Sequence, residues 1–221
     1  VREDGHFGMW NTPDNFELFV YAWVLPENFE IISKKSNRED NGEWRERNNT
    51  LTFYGRDIND IVFTIQYQAK SAKTLEKIRE TLDEAPNENI AVSAENEGVK
   101  LTLSSEMLFP SGSAELSDQG QTELKRIAPS LKNNGQQRII VEGHTDNVQI
   151  SGELQKKFES NWELSAARAL AVVRYLQTTG VPGERLESRA FGEFRPKEPN
   201  ESEEGRAKNR RIEILIQEEP S

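Results

Sequence analysis

Alternating hydrophobic and polar residues dominate the first third of the chain and predict a series of short β-strands. FELFVYAWVLP (16–26) alternates and stops at a proline, and DIVFTIQYQ (60–68) places its apolar residues on one face. Between them, EWRERNNTLTFYG (43–55) has the Asn-Asn centre of a tight hairpin. We therefore predict a small β-sandwich-like, all-β domain over residues 1–69, with turns between its strands.

The same region also shows a distant resemblance to a known type of β domain. VLPENFEIIS (24–33), the hairpin and the aliphatic strand after it resemble the bacterial immunoglobulin-like repeats of surface proteins. Trp10, Trp23 and Trp44 could form a ligand-stacking surface, but we interpret them as core or inter-domain residues.

Helical spacing replaces the alternation near residue 70. KSAKTLEKIRETLDEA (70–85) places Leu75, Ile78 and Leu82 on one helical stripe, and Pro86 stops the helix. We predict a connecting helix over 70–86, followed by a second domain over 87–221.

Strands and helices alternate in the second domain, in the order β-β-α-β-α-β-β. Residues 90–104 predict a hairpin that turns at 96–98, and Ser117 is a predicted helix cap. A second helix runs from Asn161 until Gly180 closes it, and a short charged helix is predicted at 203–208. This order predicts an α+β fold, in which a mixed sheet carries helices on one face.

Composition narrows the functions that such a fold can serve. The 221 residues carry a net charge of −10 and the pI is near 4.9, so nucleic acid is not an expected partner. Binding phosphate backbones needs a clustered basic surface. The chain has no cysteine, which excludes disulfides, thiolate nucleophiles and cysteine-ligated metals, and we expect no cofactor.

The start of the chain bears on its location. VREDGHFGMW (1–10) is neither a methionine start nor a signal peptide, and no apolar run approaches the roughly 20 residues that a membrane-spanning helix needs. We therefore expect the native protein to have an export signal or membrane anchor that is absent from this chain.

Polar residues at the end of a predicted strand carry the candidate chemistry. Glu142, His144 and Asp146 alternate, which would put them on one strand face as metal ligands or acid–base groups. His6 is the only other histidine, and no HExxH, glycine-rich phosphate loop, GxSxG elbow or calcium loop is present. A periplasmic hydrolase or metal-dependent enzyme is therefore a rival hypothesis, and we favour a structural His144 that bonds a backbone carbonyl.

Asp146 and Arg168 have two interpretations. An arginine near small apolar packing needs an acceptor, so an internal Asp146–Arg168 salt bridge could pin the loop to the helix. Alternatively, both stay partly unpaired, and Asp146 binds a ligand ammonium while Arg168 binds a ligand carboxylate. A free amino-acid centre has both groups on one carbon and would fit that pair.

Five segments together resemble the OmpA-like peptidoglycan-binding domain, also called the OmpA/MotB C-terminal domain. The resemblance covers about residues 85–218, and the blocks occur in the family's order: LFPSGSAELSDQG, VEGHTDN, NWELSAARALAVVRYL, GEFRPKEPN and EGRAKNRRIEI. It implies a β/α sandwich that binds the peptide stem of the bacterial cell wall without cleaving it.

The resemblance also implies a site. In relatives, the aspartate of a TD motif and the arginine of an LSxxRA motif hold the amino-acid centre of meso-diaminopimelate, and the matching residues are Asp146 and Arg168. The family's supporting asparagine matches Asn161, and the first arginine of its NRR block matches Arg210.

Further positions match less directly. Leu164 and Ser165 belong to the LSxxRA block, where they are expected to line the site and to supply backbone contacts. Gly112 stands where some porin-linked members have an asparagine, so only backbone groups of residues 111–113 can serve there. The long connection 148–160 is closer to that of flagellar stator proteins and related envelope proteins.

These observations predict a non-enzymatic, non-covalent peptidoglycan-binding module in the periplasm of a Gram-negative bacterium. Its task would be to link an envelope protein or assembly to the wall, with an envelope partner on the N-terminal β domain; a homodimer is compatible with the sequence. A flagellar-stator-type anchor ranks second, because the stator's membrane helix is not visible and an N-terminal β domain is unexpected there.

Overall fold

The chain forms two compact units. The structure is a computed structural model that describes residues 6–26, 29–81, 89–95, 98–132 and 137–217, and it describes their side chains except at 6–15 and 81. The described residues up to Lys73 form the N-terminal unit, and those from Thr74 onward form the C-terminal unit. The predicted domain limits 1–69, 70–86 and 87–221 stay predictions.

The N-terminal unit is an antiparallel sheet in the described part of the chain. Strand β4 is 20 residues long and pairs with β1 along one edge, while β2 and β3 follow each other along its other edge. The all-β character is confirmed, whereas the described strands lie in one sheet and not in the two facing sheets of an immunoglobulin-like sandwich. The difference arises because one long strand provides an edge for two partners in succession. The strands are β1 (His6–Val24), β2 (Phe29–Ser36), β3 (Gly42–Arg47) and β4 (Thr50–Ala69).

Local signals in this unit predicted its turn and its core. The β3–β4 hairpin closes with Arg47 opposite Thr50, and Asn48 adopts a positive φ of 51°, as a two-residue hairpin requires. Trp23 and Trp44 pack against Phe63 in an aromatic cluster, which confirms their core role. The side chain of Trp10 lies outside the described residues.

The C-terminal unit contains a mixed sheet of five described strands in the order β5-β6-β9-β7-β8. All neighbours are antiparallel except β7 and β8, which are parallel. The predicted alternation of strands and helices is confirmed. Helix α1 (Lys70–Thr81) includes the boundary between the two units. The elements that follow it are β5 (Ile90–Glu95), β6 (Gly98–Ser104), α2 (Ser105–Leu108), α3 (Asp118–Lys132), β7 (Arg138–His144), α4 (Glu153–Lys157), α5 (Asn161–Thr178), β8 (Leu186–Gly192), α6 (Glu203–Asn209) and β9 (Arg211–Gln217).

One face of this sheet forms the hydrophobic core, with α3 and α5 packed on it. Alternate strand residues such as Leu101, Val141 and Ile214 are fully buried there, as period-2 alternation predicts. The Ser117 hydroxyl accepts a hydrogen bond of 2.9 Å from the Gly120 amide and caps α3, as predicted. Most of the intervening strand residues, among them Lys100, Glu142 and Glu213, are polar or charged, with Ile140 and Leu215 as apolar exceptions, so the opposite face of the sheet is mainly polar.

Helix α1 begins at Lys70, where the change of periodicity predicts it. Leu75 and Ile78 pack against the core of the C-terminal unit, and the predicted Leu82 lies outside the described residues. Within the described part of the chain, no helix combines the length and the apolar character needed to cross a membrane.

Candidate functional site

Arg168 lies on α5 with only 8% of its surface exposed. Its Nε and Nη2 both donate to the Ser113 carbonyl oxygen, at 3.1 and 3.0 Å, and its guanidinium lies 5.1 Å from the centre of the Phe109 ring. Burial lowers the pKa of Arg168 to about 10, so the group stays charged at neutral pH. None of the described residues accepts a hydrogen bond from Nη1, which leaves that donor for a ligand.

Asp146 follows strand β7 and forms an ion pair with Arg210. Its Oδ2 accepts from Arg210 Nη1 at 2.7 Å, and its Oδ1 accepts from the Val148 amide at 3.0 Å. The hypothesis of an Asp146–Arg168 salt bridge is wrong for this structure, because Arg168 reaches a backbone carbonyl and Arg210 takes the place at the carboxylate. A carboxylate has about four acceptor positions, so each oxygen of Asp146 can accept one more hydrogen bond.

Arg210 is shared by three carboxylates. Besides Asp146, its Nη2 donates to Glu106 at 2.5 Å and to Glu203 at 2.6 Å. Burial works to lower the pKa of Arg210, but the hydrogen bonds to Asp146, Glu106 and Glu203 outweigh burial and raise it. Arg210 therefore neutralises only part of the negative charge around it, and a second cation can be accommodated beside Asp146.

Asn161 joins three segments at the start of α5. Its Nδ2 lies within hydrogen-bond distance of the carbonyl oxygens of Asp146 and Val148, at 3.3 and 3.0 Å, and of Glu193 Oε2 at 2.8 Å. These contacts fix the loop that presents the Asp146 carboxylate. Asn161 is therefore a positioning residue in this structure, in addition to lining the space beside Asp146.

The remaining predicted site residues separate into two groups. Leu164 and Gly112 lie beside Asp146, and Gly112 has a positive φ of 71° with no atom near its missing Cβ. Ser165 is fully buried and does not line this space, because its hydroxyl donates to the Trp162 carbonyl and accepts from the Gly192 amide. Ser165 connects α5 to the end of β8 rather than facing a ligand.

These residues surround one open space, which we call the binding cleft. Its volume is about 610 Å³, within the range of about 300–1,000 Å³ typical of small-ligand sites. Charged groups meet an apolar wall, so the cleft suits a ligand with opposite charges and a short aliphatic part. Its lining is Ser105, Glu106, Phe109, Pro110, Ser111, Gly112, Thr145, Asp146, Val148, Gln149, Ile150, Ser151, Leu154, Asn161, Leu164, Arg168 and Arg210.

Several of these lining residues were not predicted from the sequence. Glu106 comes from the short helix α2, and Val148, Ile150 and Leu154 come from the long connection before α5. The apolar residues within that otherwise polar connection were the available signal, since a solvated loop has no need of them.

Glu142 and His144 do not join Asp146. Together with Glu213 they place one potential ligand atom each within 4.8 Å of one another, on the polar face of the sheet. Arg211 already bonds Glu213 at 2.7 Å, and Arg189 lies 3.6 Å from Glu142, so internal cations compensate both carboxylates. The rival Glu142–His144–Asp146 site is therefore not assembled, because the strand ends at His144 and the chain turns towards the binding cleft.

His144 is held as a buried neutral ring. It stacks on Phe191 at 5.3 Å, and neither ring nitrogen has a hydrogen-bond partner, so the predicted bond to a backbone carbonyl is absent from the described residues. Burial, followed by the charge of Arg211, lowers its pKa from 6.5 to about 4, with Arg195 and Lys100 acting in the same direction and Glu213 opposing.

Acid should therefore destabilise the protein through His144. Between pH 6.5 and 4 the unfolded chain binds a proton at this ring and the folded chain does not, so stability falls as the pH falls. From pH 7 to about pH 4.5 we expect the parent to lose about 2 kcal/mol more unfolding free energy than His144→Gln. Urea unfolding at both pH values measures this difference. Equal losses in the two proteins would contradict it.

Known proteins resemble this chain over the region that contains the binding cleft. Residues 108–210 match the OmpA family. Motility protein B of Bacillus subtilis (strain 168) is 34% identical over 122 residues, which cover 55% of this chain and 46% of that protein. Peptidoglycan-binding protein ArfA of Mycobacterium tuberculosis (strain ATCC 25618 / H37Rv) is 39% identical over 93 residues, covering 42% and 26%.

A solved structure of an anchor protein is similar to this chain in both fold and sequence. The cell wall anchor of the T6SS from Pseudomonas aeruginosa superposes with a TM-score of 0.58 and 33% identity, covering 66% of this chain and 97% of that one. The chain spans about half the length of the Bacillus relative and about a quarter of the mycobacterial one. These relatives carry the names of motility, anchor and peptidoglycan-binding proteins, and none is named as an enzyme.

Proposed function

The chain belongs to the OmpA family, and on that premise we propose that its C-terminal unit binds the peptide stem of bacterial peptidoglycan without cleaving it. The observation that carries the proposal is that Asp146 and Arg168 line one cleft and each has hydrogen-bonding capacity left. A peptide stem that contains diaminopimelate offers the matching ligand, because one carbon of that residue bears both an ammonium and a carboxylate.

Each charged group of the ligand has a partner in the cleft. The ammonium binds the Asp146 carboxylate, beside the carbonyl oxygens that Asn161 holds in place. The ligand carboxylate binds Arg168 Nη1, and the backbone of Gly112 allows close approach because no side chain covers it. Charge-assisted hydrogen bonds contribute roughly 1.5–3 kcal/mol each, so two of them give a selective but modest affinity.

The contents of the cleft support binding rather than catalysis. An arginine cannot act as a general base, because its guanidinium stays protonated. Among the described lining residues, no hydroxyl is hydrogen-bonded to a histidine or a carboxylate, which is the pairing that activates a nucleophile. We therefore propose that the protein holds the wall and does not hydrolyse it.

A modest affinity at each binding cleft is sufficient for a protein that anchors to the cell wall. Stem peptides repeat along the wall, so several copies of the protein raise the effective concentration of clefts without tighter single contacts, and a homodimer would do the same. We place this tether in the periplasm of a Gram-negative bacterium, with the N-terminal sheet as the surface for an envelope partner. The name of the Pseudomonas relative, a cell wall anchor, supports this role.

A motor anchor of the flagellar-stator type is the second candidate. The similarity to Motility protein B favours it, and the cleft would hold the same ligand in that role. The two candidates differ in what the protein anchors, not in what the C-terminal unit binds.

Co-sedimentation with purified sacculi tests the proposed function. The protein is expected to pellet with walls whose stems contain diaminopimelate, and to stay largely in the supernatant with walls that have lysine at that position. Lysine lacks the second carboxylate, so Arg168 loses its partner. The supernatant is expected to contain no released muropeptides.

Two results would contradict the proposal. Equal pelleting with both wall types would show that the cleft does not distinguish diaminopimelate from lysine. Soluble muropeptides released in proportion to the protein added would favour a hydrolase instead.

A further inference from the structure

Two large aromatic side chains are exposed beside the binding cleft. Trp162 is 45% exposed and Phe194 is 64% exposed, and their rings stack with centroids 5.3 Å apart and planes 25° from parallel. Exposed aromatic surface costs hydration free energy, and a contiguous pair of this kind is typical of an interaction site rather than of a solvated surface.

Ordered segments present both rings. Trp162 lies in the first turn of α5, where its amide donates to the capping Ser160 hydroxyl at 3.1 Å. Phe194 lies in a tight turn after β8, closed by a 3.1 Å hydrogen bond from its amide to the Phe191 carbonyl. Asn161 and the carboxylate of Glu193 tie the two segments together, so the ring pair is fixed relative to the cleft.

The rings belong to a second groove, which we call the aromatic groove. Its volume is about 330 Å³, and it shares Gln149, Ile150 and Asn161 with the binding cleft, so the two spaces are adjacent. Its lining also includes Gln155, Glu159, Ser160, Trp162, Glu193 and Phe194. Polar amide, hydroxyl and carboxylate groups thus surround an aromatic surface.

This combination fits a pyranose ring. The C–H face of a sugar packs against an aromatic plane, while its hydroxyl and acetamido groups need hydrogen-bond partners at the edges. Glu159 and Glu193 make the rim acidic, which disfavours an anionic ligand such as a nucleotide. The indole N–H of Trp162 donates to none of the described residues, so it is available to a sugar oxygen.

We propose that the aromatic groove binds a sugar of the glycan strand whose peptide stem occupies the binding cleft. The inference rests on the proposed function, because it is the stem that brings the glycan to this groove. Binding two parts of one polymer in adjacent spaces raises affinity, since the second contact is intramolecular. The groove then favours intact wall over free peptide.

Calorimetric titration of the full chain with two matched ligands tests this inference. One ligand is the free diaminopimelate tripeptide, and the other is the same tripeptide on its N-acetylglucosamine–N-acetylmuramic acid disaccharide. The parent is expected to bind the disaccharide form about tenfold more tightly, which is the magnitude of one good aromatic contact. Trp162→Ala is expected to lose that gain and to keep the parent's affinity for the free tripeptide.

Leu170→Ala is the matched control, because Leu170 is an exposed apolar residue of the same helix outside both spaces. It should keep the tenfold gain, and Trp162→Phe should keep part of it. The inference is overturned if the parent binds both ligands equally, or if Trp162→Ala keeps the gain. It is also overturned if Trp162→Ala instead dissociates an oligomer, which would make a second copy the occupant. A parent that binds neither ligand would contradict the proposed function itself.

Discussion

Arg168→Ala is expected to abolish co-sedimentation with diaminopimelate-containing sacculi. The variant removes the buried cation that we propose binds the ligand carboxylate, and losing one partner of a desolvated charge pair costs roughly 2–5 kcal/mol. That loss corresponds to binding weaker by about 30-fold or more. Because the affinity of a single site is modest, such a loss is expected to leave the protein in the supernatant. Asp146→Ala is expected to have the same effect, because the ligand ammonium then lacks its carboxylate while Arg210 keeps Glu106 and Glu203.

Arg174→Ala is the matched control for Arg168→Ala. Arg174 is an exposed arginine of the same helix, so its removal changes the net charge equally without touching the binding cleft. It should pellet like the parent. All variants should keep a cooperative thermal transition. If Arg168→Ala and Asp146→Ala both pellet like the parent, the assignment of these residues to the ligand is wrong.

Gly143→Ala is expected to cause a large loss of folding stability. Strand β7 and helix α5 approach so closely that a Cβ at Gly143 would lie 2.2 Å from the Ser165 carbonyl oxygen, and backbone on both sides limits relaxation. Forcing atoms into a well-packed contact costs about 3 kcal/mol. For a protein of this size that lowers the unfolding midpoint by roughly 6–12 °C, which differential scanning calorimetry measures directly.

Gly152→Ala separates steric overlap from backbone strain. Gly152 has a positive φ of 59° but no atom within 4 Å of its missing Cβ, so only strain of about 1–2 kcal/mol is expected. Gly143→Ala should also weaken wall binding, because it displaces the helix that carries Arg168. Identical midpoints for the two variants would rule out the close approach of β7 and α5 as the source of the loss.

Local chemistry made much of the fold predictable. Alternation at Leu101 and Leu103 identified a core face, the hydroxyl of Ser117 predicted a helix start, and Asn48 with Asn49 predicted a two-residue turn. Each of these signals acts over a few residues, so the sequence alone contains the information. The absence of cysteine and the acidic net charge likewise needed no coordinates to exclude whole classes of chemistry.

Partner choice between distant segments was not predictable in the same way. The carboxylate of Asp146 could pair with Arg168 or with Arg210, and both arginines were visible in the sequence. The structure pairs Asp146 with Arg210, and Arg168 bonds the Ser113 carbonyl, 55 residues away along the chain. An ion pair depends on where loops converge, and periodicity carries no information about that convergence.

The sheet face on which a residue lies, and the strand with which a strand pairs, were also not predictable from local pattern alone. Alternation placed Glu142, His144 and Asp146 on one face, but the strand ends at His144, and only the first two residues stay on the polar face of the sheet. The pattern of the N-terminal unit predicted strands but not their pairing, so the predicted sandwich was wrong for the described strands, which form a single sheet around β4.

The sequence by itself determined most of the elements, though not the short helices α2 and α4, together with the core faces and the blocks of family residues. Each of these depends on neighbours within a turn of helix or a step of strand. Tertiary structure alone decided which charges pair, that Ser165 faces inward, and that Trp162 meets Phe194 beside the cleft. Those outcomes depend on distances between segments far apart in the chain. Such distances are fixed only when the whole core packs.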